Sequence, residues 1–508
     1  MPDKSELFKL IKSLTKSEKR HFKLQAKGFS GQQTAHYEIL FNALDKQKEY
    51  SRSKTLIALR KAGAKVELPV LKQYLFDYLL KSLASFNSKK DIDNQLSSMI
   101  NSTKVLLNKK LFKSAEKALA KARRIAQKHE RFIRLLEINR IEQLVLQQKG
   151  DFKALEKRFE SYHEEELTLI EKEKNIRQFR SLAIENFINY YKTPAIRNEK
   201  EQNKHLKAMN NPLIKDRQDI TSYSSYVLHN ISGQYYEGSM DYNSLYKHTK
   251  ACILIFEDNI VFKNSEQKFY VSAASNHILA CIKLRKKTEA ENTIAVLNSY
   301  AEIKLKNSSP LFYSNTFQNT ILLKLLLKFW TFEFKEACSY YLENIDHITS
   351  APKAYVKENE FLLLGALSFF YLGKHNKALD ACITIINKPS GIGDYIQSVV
   401  RFLNLIIHYE LENYNLLDYL ITSSYRFLLK RKNQFKTEKV VMNLIKSLAA
   451  SVDKAKTEKL LTNALSELRG LKNNPFEKKA FEYLDYEVWV RCKLKKIPIT
   501  QVLKPDNL

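Results

Sequence analysis

The residues able to do chemistry in this 508-residue chain are thinly spread. Its 11 histidines are scattered, with no HExxH and no Cys/His cluster at metal-ligand spacing. The five cysteines, Cys252, Cys281, Cys338, Cys382 and Cys492, are odd in number and form no CxxC. Four of them sit in apolar helical contexts, which predicts buried free thiols in a reducing cytosol. His163 precedes Glu164, Glu165 and Glu166, but adjacent residues point in different directions on a helix, so a solvated charged turn is expected. There is no P-loop, GxGxxG or GxSxG, and Gly391-Ile392-Gly393 reads as an inter-hairpin turn. These absences predict a protein that is not an enzyme, with no catalytic residues, cofactor or metal.

The sharpest constellation is basic. At 100° per residue, Lys113, Lys117, Lys121, Arg124, Lys128 and Arg131 fall within about 80° of arc on one helix. Ala115, Ala118, Ala122, Ile125, Ala126 and His129 lie opposite. Such a stripe suits phosphates or an acidic protein segment. An ordinary solvated face in a lysine-rich chain fits the same residues. A second candidate runs from Arg60 to Gln73, where Arg60, Lys61, Lys65, Lys72 and Gln73 would reach DNA from a helix-turn-helix. The KAGAKVELP loop exceeds the usual 3–4 residue turn, which favours plain helical packing.

The net charge of +29 attracts polyanions in general. Residues 1–150 contribute +18 of it, residues 151–350 only +2 and residues 351–508 +9. The 84 basic residues comprise 65 Lys and 19 Arg, whereas bidentate phosphate or guanine contacts favour Arg. With abundant Asn and Ile this points to an AT-rich, bacterial genome and a partly compositional charge.

The elements that must position these residues are helices. Glycine (11) and proline (10) are scarce, and Leu, Lys, Glu and Ala are plentiful. In the first 95 residues Leu7, Leu10, Ile11 and Leu14 form one apolar face. Thr15 and Glu18 make a capping box for the next helix. Tyr37, Leu40, Phe41 and Leu44 form another face, Gly63 breaks a helix, and Pro69 suits the first turn of a new one. Leu71, Leu75, Tyr78, Leu79, Leu83 and Phe86 then make an apolar stripe. The final stretch, PFEKKAFEYLDYEVWVRCKLKK, reads as one capping helix that buries Phe481, Leu484, Tyr486 or Val488, and Trp489.

Between these ends a pattern recurs. Small or apolar residues open a second helix after a short polar turn at Ala115, Leu155, Leu245, Ala290, Ala337, Ala378 and Leu417, with gaps of 40, 90, 45, 47, 41 and 39 residues. The gap of 90 implies a degenerate unit near residues 195–205. An aromatic stands three residues before five anchors, at Phe112, Phe152, Tyr242, Phe334 and Tyr414, placed to pack into the turn. The Phe361–Pro389 segment is the clearest unit: Phe369 or Phe370, Gly373, Ala378 and Pro389. It resembles the tetratricopeptide-repeat (TPR) family, and Gly150 and Phe152 match a second unit in part. The spacing exceeds that family's 34 residues.

The expectation is an all-α, right-handed α-solenoid of TPR-like helical hairpins with an N-terminal helical module. Residues 1–95 would form the basic module, 96–430 the repeats, and 431–508 the C-terminal repeats and cap. The expected function is a non-enzymatic scaffold or adaptor, holding a partner peptide or helix in the solenoid groove, with an acidic partner segment suiting the charge. The alternative is a nucleic-acid-binding regulator using residues 1–150. A cytoplasmic protein without membrane insertion is expected, since the most apolar stretches fall short of about 20 residues.

Overall fold

A computed structural model describes residues 6–27, 32–61, 63, 67–87, 91–192, 196–306, 310–349, 358–387, 394–430, 434–451 and 453–503. All regular secondary structure among the described residues is helical, as the composition requires. The chain divides into two units, Met1–Glu173 and Lys174–Leu508.

The first unit opens with α1 (Glu6–Ser13), α2 (Lys16–Lys27), α3 (Gln32–Asp45), α4 (Arg52–Lys61) and α5 (Leu68–Asn87). Leu7, Ile11, Phe22, Leu40, Phe41, Leu59, Leu71, Leu75 and Leu79 form their shared core. The capping box is present: the Glu18 amide donates to Thr15 Oγ1 at 3.2 Å, and the Thr15 amide donates to Glu18 Oε2 at 2.7 Å. Gly63 adopts φ +69° beyond the end of α4, and Pro69 lies in the first turn of α5. Then come α6 (Ile92–Asn108), α7 (Phe112–Lys128), α8 (Phe132–Lys149) and the start of the 41-residue α9 (Phe152–Lys192), with α6, α7 and α8 packing in chain order.

The second unit takes the end of α9, then α10 (Glu199–Met209), α11 (Pro212–Lys215), α12 (Ser222–Gly238), α13 (Tyr242–Asp258), α14 (Ile260–Ser265), α15 (Gln267–Lys283), α16 (Lys287–Tyr300), α17 (Pro310–Trp330), α18 (Phe334–Thr349), α19 (Glu358–Tyr371), α20 (His375–Ile386), α21 (Asp394–Glu410), α22 (Tyr414–Lys430), α23 (Lys436–Ala449), α24 (Lys454–Lys472), α25 (Tyr486–Lys495) and α26 (Ile499–Val502). The pairs α12–α13, α15–α16, α17–α18, α19–α20 and α21–α22 are stacked antiparallel hairpins. The first helices α15, α17, α19, α21 and α23 also touch one another in succession, whereas the second helices α16, α18, α20 and α22 do not pack comparably on each other. The first helices therefore form the inner layer of an α-solenoid.

The anchors fall where the pattern puts them. Ala115, Ala290, Ala337, Ala378 and Leu417 are fully buried, Leu245 nearly so, and Leu155 only partly. Each is the fourth residue of its helix, and five residues before each is a left-handed residue: Lys110, Gly150, Met240, Arg285, Phe332, Gly373 and Glu412. An amide one residue further on bonds the carbonyl five residues back, for example Leu111 to Leu106, Lys286 to Cys281 and Lys374 to Phe369, each at 2.9 Å. This is the Schellman closure of the first helix. Only two of the seven turns place glycine there, so a glycine search finds two and misses five.

Two expectations are corrected. The aromatic before the anchor packs inward at Phe334, beside the fully buried Ala337, but is 67% exposed at Phe152, where the anchor Leu155 is itself only partly covered. The final stretch is also not one helix. Residues 478–481 form a single 3₁₀ turn and α25 starts only at Tyr486, where Asp485 accepts from the Val488 amide at 3.2 Å. Upstream, Glu477 accepts from the Lys436 and Thr437 amides at 2.9 Å and so caps α23, which pulls the chain away from a continuous helix.

Candidate functional site

Five of the six basic residues of the α7 stripe face solvent. Lys113, Lys117, Lys121, Arg124 and Lys128 are exposed and form no ion pair among the described residues. Arg131 departs from the stripe: it lies beyond the helix end, half-buried, with Nε 3.3 Å from Asp93 Oδ2. Opposite the stripe Ala115, Leu119, Ala122 and Ala126 are buried, while Ala118 and Ile125 are only partly covered. The α7 cation with the most partners is Arg123. Its guanidinium bonds Glu142 at 2.8 and 3.1 Å, Glu165 at 2.7 Å and the side-chain oxygen of Asn139, tying α7 to α8 and α9. Glu165, read as part of a solvated turn, is thus an ion-pair partner, and His163 is exposed.

Of the Arg60–Gln73 segment, residues 60–61 end α4 and residues 68–73 open α5. Lys72 donates to Tyr50 Oη at 2.5 Å and lies over its ring, and Gln73 donates to Asp77 at 3.1 Å. Arg60 and Lys61 are exposed; Lys65 and the Gly391–Gly393 turn lie outside the described residues.

The inner layer of the second unit is partly filled by the chain's own C-terminal segment. From Lys478 it runs back along the first helices rather than closing only the end of the stack. Tyr395 on α21 donates to the Lys479 carbonyl. Tyr371 on α19 donates to the Tyr483 carbonyl at 3.3 Å, and Tyr483 Oη donates to Glu360 at 2.7 Å. Trp489 Nε1 and Lys493 Nζ both reach Glu410 at the end of α21, at 2.8 and 3.0 Å. At the centre Glu482 lies between Lys283 on α15, at 2.9 Å, and Lys479, at 2.8 Å. Burial would raise the Glu482 carboxyl, but the two ammonium groups outweigh it and hold it at about 2. The ring of Trp330 sits 3.8 Å beneath Lys283 Nζ.

One cleft on this layer, of about 350 Å³, lies at the N-terminal halves of α15 and α17. Its floor is apolar: Val271, Leu322, Ile348 and Phe361. Its walls carry amides and hydroxyls. Asn319 donates to Ser275 Oγ at 2.8 Å, and Asn276 to Asn230 at 3.4 Å. Gln318 is 8% exposed, yet its buried Oε1 has no hydrogen-bond partner.

All five cysteines are buried and free. One has company that the sequence motifs did not flag. His277 and Cys281 stand one turn apart on α15, and Glu289 is in the first turn of α16. His277 Nε2 is 3.3 Å from Glu289 Oε1 and 3.7 Å from Cys281 Sγ. Burial pushes the Cys281 thiol up to about 12 and the His277 imidazole down, so both are neutral near pH 7. The trio matches neither HExxH nor CxxC: His277 and Cys281 are a mixed pair at i, i+4, and Glu289 comes from the next helix.

Among the described residues no helix is long and apolar enough to cross a membrane. No family model matches the chain, and no curated protein matches it. Among solved structures, the apo form of RapI is similar with a TM-score of 0.41 and 12% sequence identity, over 80% of this chain and 99% of that one. A likeness that distant adds nothing to the fold, which rests on the helices themselves.

Proposed function

We propose that the protein is a non-enzymatic scaffold that holds a segment of a protein partner on the inner layer of its second unit. The observation that carries this reading is Gln318: a buried amide oxygen left without a partner beside an apolar-floored cleft. Such an acceptor costs roughly 1–3 kcal/mol until something donates to it. A partner backbone amide or side-chain donor would satisfy it, while the apolar floor takes a side chain. The self-bound C-terminal segment shows the chemistry that the neighbouring inner surface accepts, an acidic residue flanked by aromatics. An acidic partner segment fits the same chemistry.

Gln318→Met removes the unpartnered oxygen and keeps the volume. It should leave the melting temperature unchanged or slightly raised, and weaken partner binding at least tenfold by titration calorimetry. A partner that binds the variant with unchanged affinity does not use this cleft.

The second reading is nucleic-acid binding by residues 1–150, favoured by the five exposed, unpaired cations on α7. Fluorescence anisotropy with generic duplex DNA and single-stranded RNA, titrated from about 50 to 200 mM salt, tests it. Binding that falls log-linearly with salt and is lost on reversing Lys117, Lys121 and Arg124 to Glu supports this reading. Binding indifferent to the triple reversal removes the stripe from consideration.

A further inference from the structure

We propose that His277, Cys281 and Glu289 form a site for a zinc-class divalent cation at the α15–α16 hairpin. The three ligand atoms, one each of nitrogen, sulfur and oxygen, all lie within 4.8 Å of one another. A tetrahedral ion with bonds of about 2.0–2.1 Å to N and O and about 2.3 Å to S places N and O about 3.3 Å apart and N and S about 3.6 Å apart. The observed separations are 3.3 and 3.7 Å.

The geometry also separates this trio from a nucleophile relay. A Cys–His–carboxylate relay uses the two opposite nitrogens of the ring, one for the thiol and one for the acid. Here Cys281 and Glu289 both face Nε2, and the three donor atoms lie within 4.8 Å of one another. Nδ1 turns the other way, 3.2 Å from Thr249 Oγ1 on α13, the kind of outer contact that fixes the tautomer of a metal-bound imidazole. Tyr246 Oη donates to both Glu289 oxygens at 2.9 Å and orients the carboxylate. His277 and Cys281 are buried, while Glu289 is partly exposed. The cation therefore enters from the Glu289 side, where water supplies the fourth ligand.

Two cations face the same carboxylate. Lys250 Nζ is 3.9 Å and Lys286 Nζ 4.0 Å from Glu289. Their side chains are about half exposed and can move into solvent, so they balance Glu289 when no metal is bound and weaken metal affinity without blocking it.

The test is a Co²⁺ titration of the full-length protein, followed by displacement with Zn²⁺. The expected result is a 1:1 complex with a thiolate-to-cobalt charge-transfer band and tetrahedral visible bands. Cys281→Ser should abolish the charge-transfer band, and Cys382→Ser, a buried thiol on α20, should leave it intact. Glu289→Gln, near the surface and tolerant of folding, should weaken Co²⁺ binding at least tenfold, and Lys286→Gln should tighten it. The proposal is overturned by the absence of a thiolate band in excess Co²⁺, by a band that survives in Cys281→Ser, or by unchanged affinity in Glu289→Gln.

Discussion

Gly365, in the middle of α19, shows how closely the hairpins approach. A Cβ built there would stand 2.4 Å from ring carbons of Tyr341 on α18, which itself stacks on Phe361. Gly365→Ala should gain helix propensity and still destabilise, by about 1–3 kcal/mol, because the buried ring has to shift. Chemical denaturation reads the loss, and adding Tyr341→Leu should recover part of it. His229 on α12 carries a second residue-scale prediction. Its Nδ1 lies 3.0 Å from Nδ1 of His248 on α13. Burial, then the His248 and Arg217 charges, lower its pKa from 6.5 to about 4. Folding thus favours the neutral ring: the stability it contributes is present above pH 6.5 and is lost as the pH falls toward 4. The urea midpoint should drop between pH 7 and pH 5, and drop less in His229→Leu.

At the scale of the element, the hairpin turn is the governing unit, and it was half legible. The anchors Ala115 to Leu417 were readable because a small or apolar residue must sit where two helices meet. The left-handed residue five positions earlier was readable only at Gly150 and Gly373. Elsewhere Lys110, Met240, Arg285, Phe332 and Glu412 occupy it, and nothing in their side chains announces a positive φ. Each pays a steric cost of about 1–2 kcal/mol that glycine avoids, part of which glycine returns as unfolded-state entropy. Met240→Gly and Glu412→Gly should each raise stability by up to about 1 kcal/mol, and Gly373→Ala should lower it by about the same amount. Thermal melts of the three variants distinguish this from side-chain packing. The candidate sites were less legible than the turns. The α7 stripe follows from helical periodicity alone. Arg123, the cluster at Glu482 and the His277–Cys281–Glu289 trio depend on residues brought together from separate helices, which spacing along the chain does not encode.

For the molecule as a whole, the all-α solenoid expected from composition and repeat spacing is what the second unit forms, while the path of its last residues was not foreseen. Phe481, Leu484, Tyr486 and Trp489 read correctly as buried, but burial says nothing about which helices cover them. Glu482→Ala would leave Lys283 and Lys479 facing each other in the interior and should cost about 3–5 kcal/mol. Exchange of amide hydrogens in that variant should rise on α15, α19 and α21 together. Protection lost only at the C-terminus would mean that the segment is a passive tail.

That returning segment changes the arithmetic of a repeat protein. A stack whose units touch only their neighbours folds and frays one unit at a time, like beads with springs between them. Here Lys283 and Glu482 meet across 199 positions of chain. Residues 478–493 thus complete a layer begun some two hundred residues earlier, so the inner surface of this unit stays uncovered until they have been made. A nascent chain stalled before Lys478 should carry its helices, lack its closure, and be the form that chaperones hold.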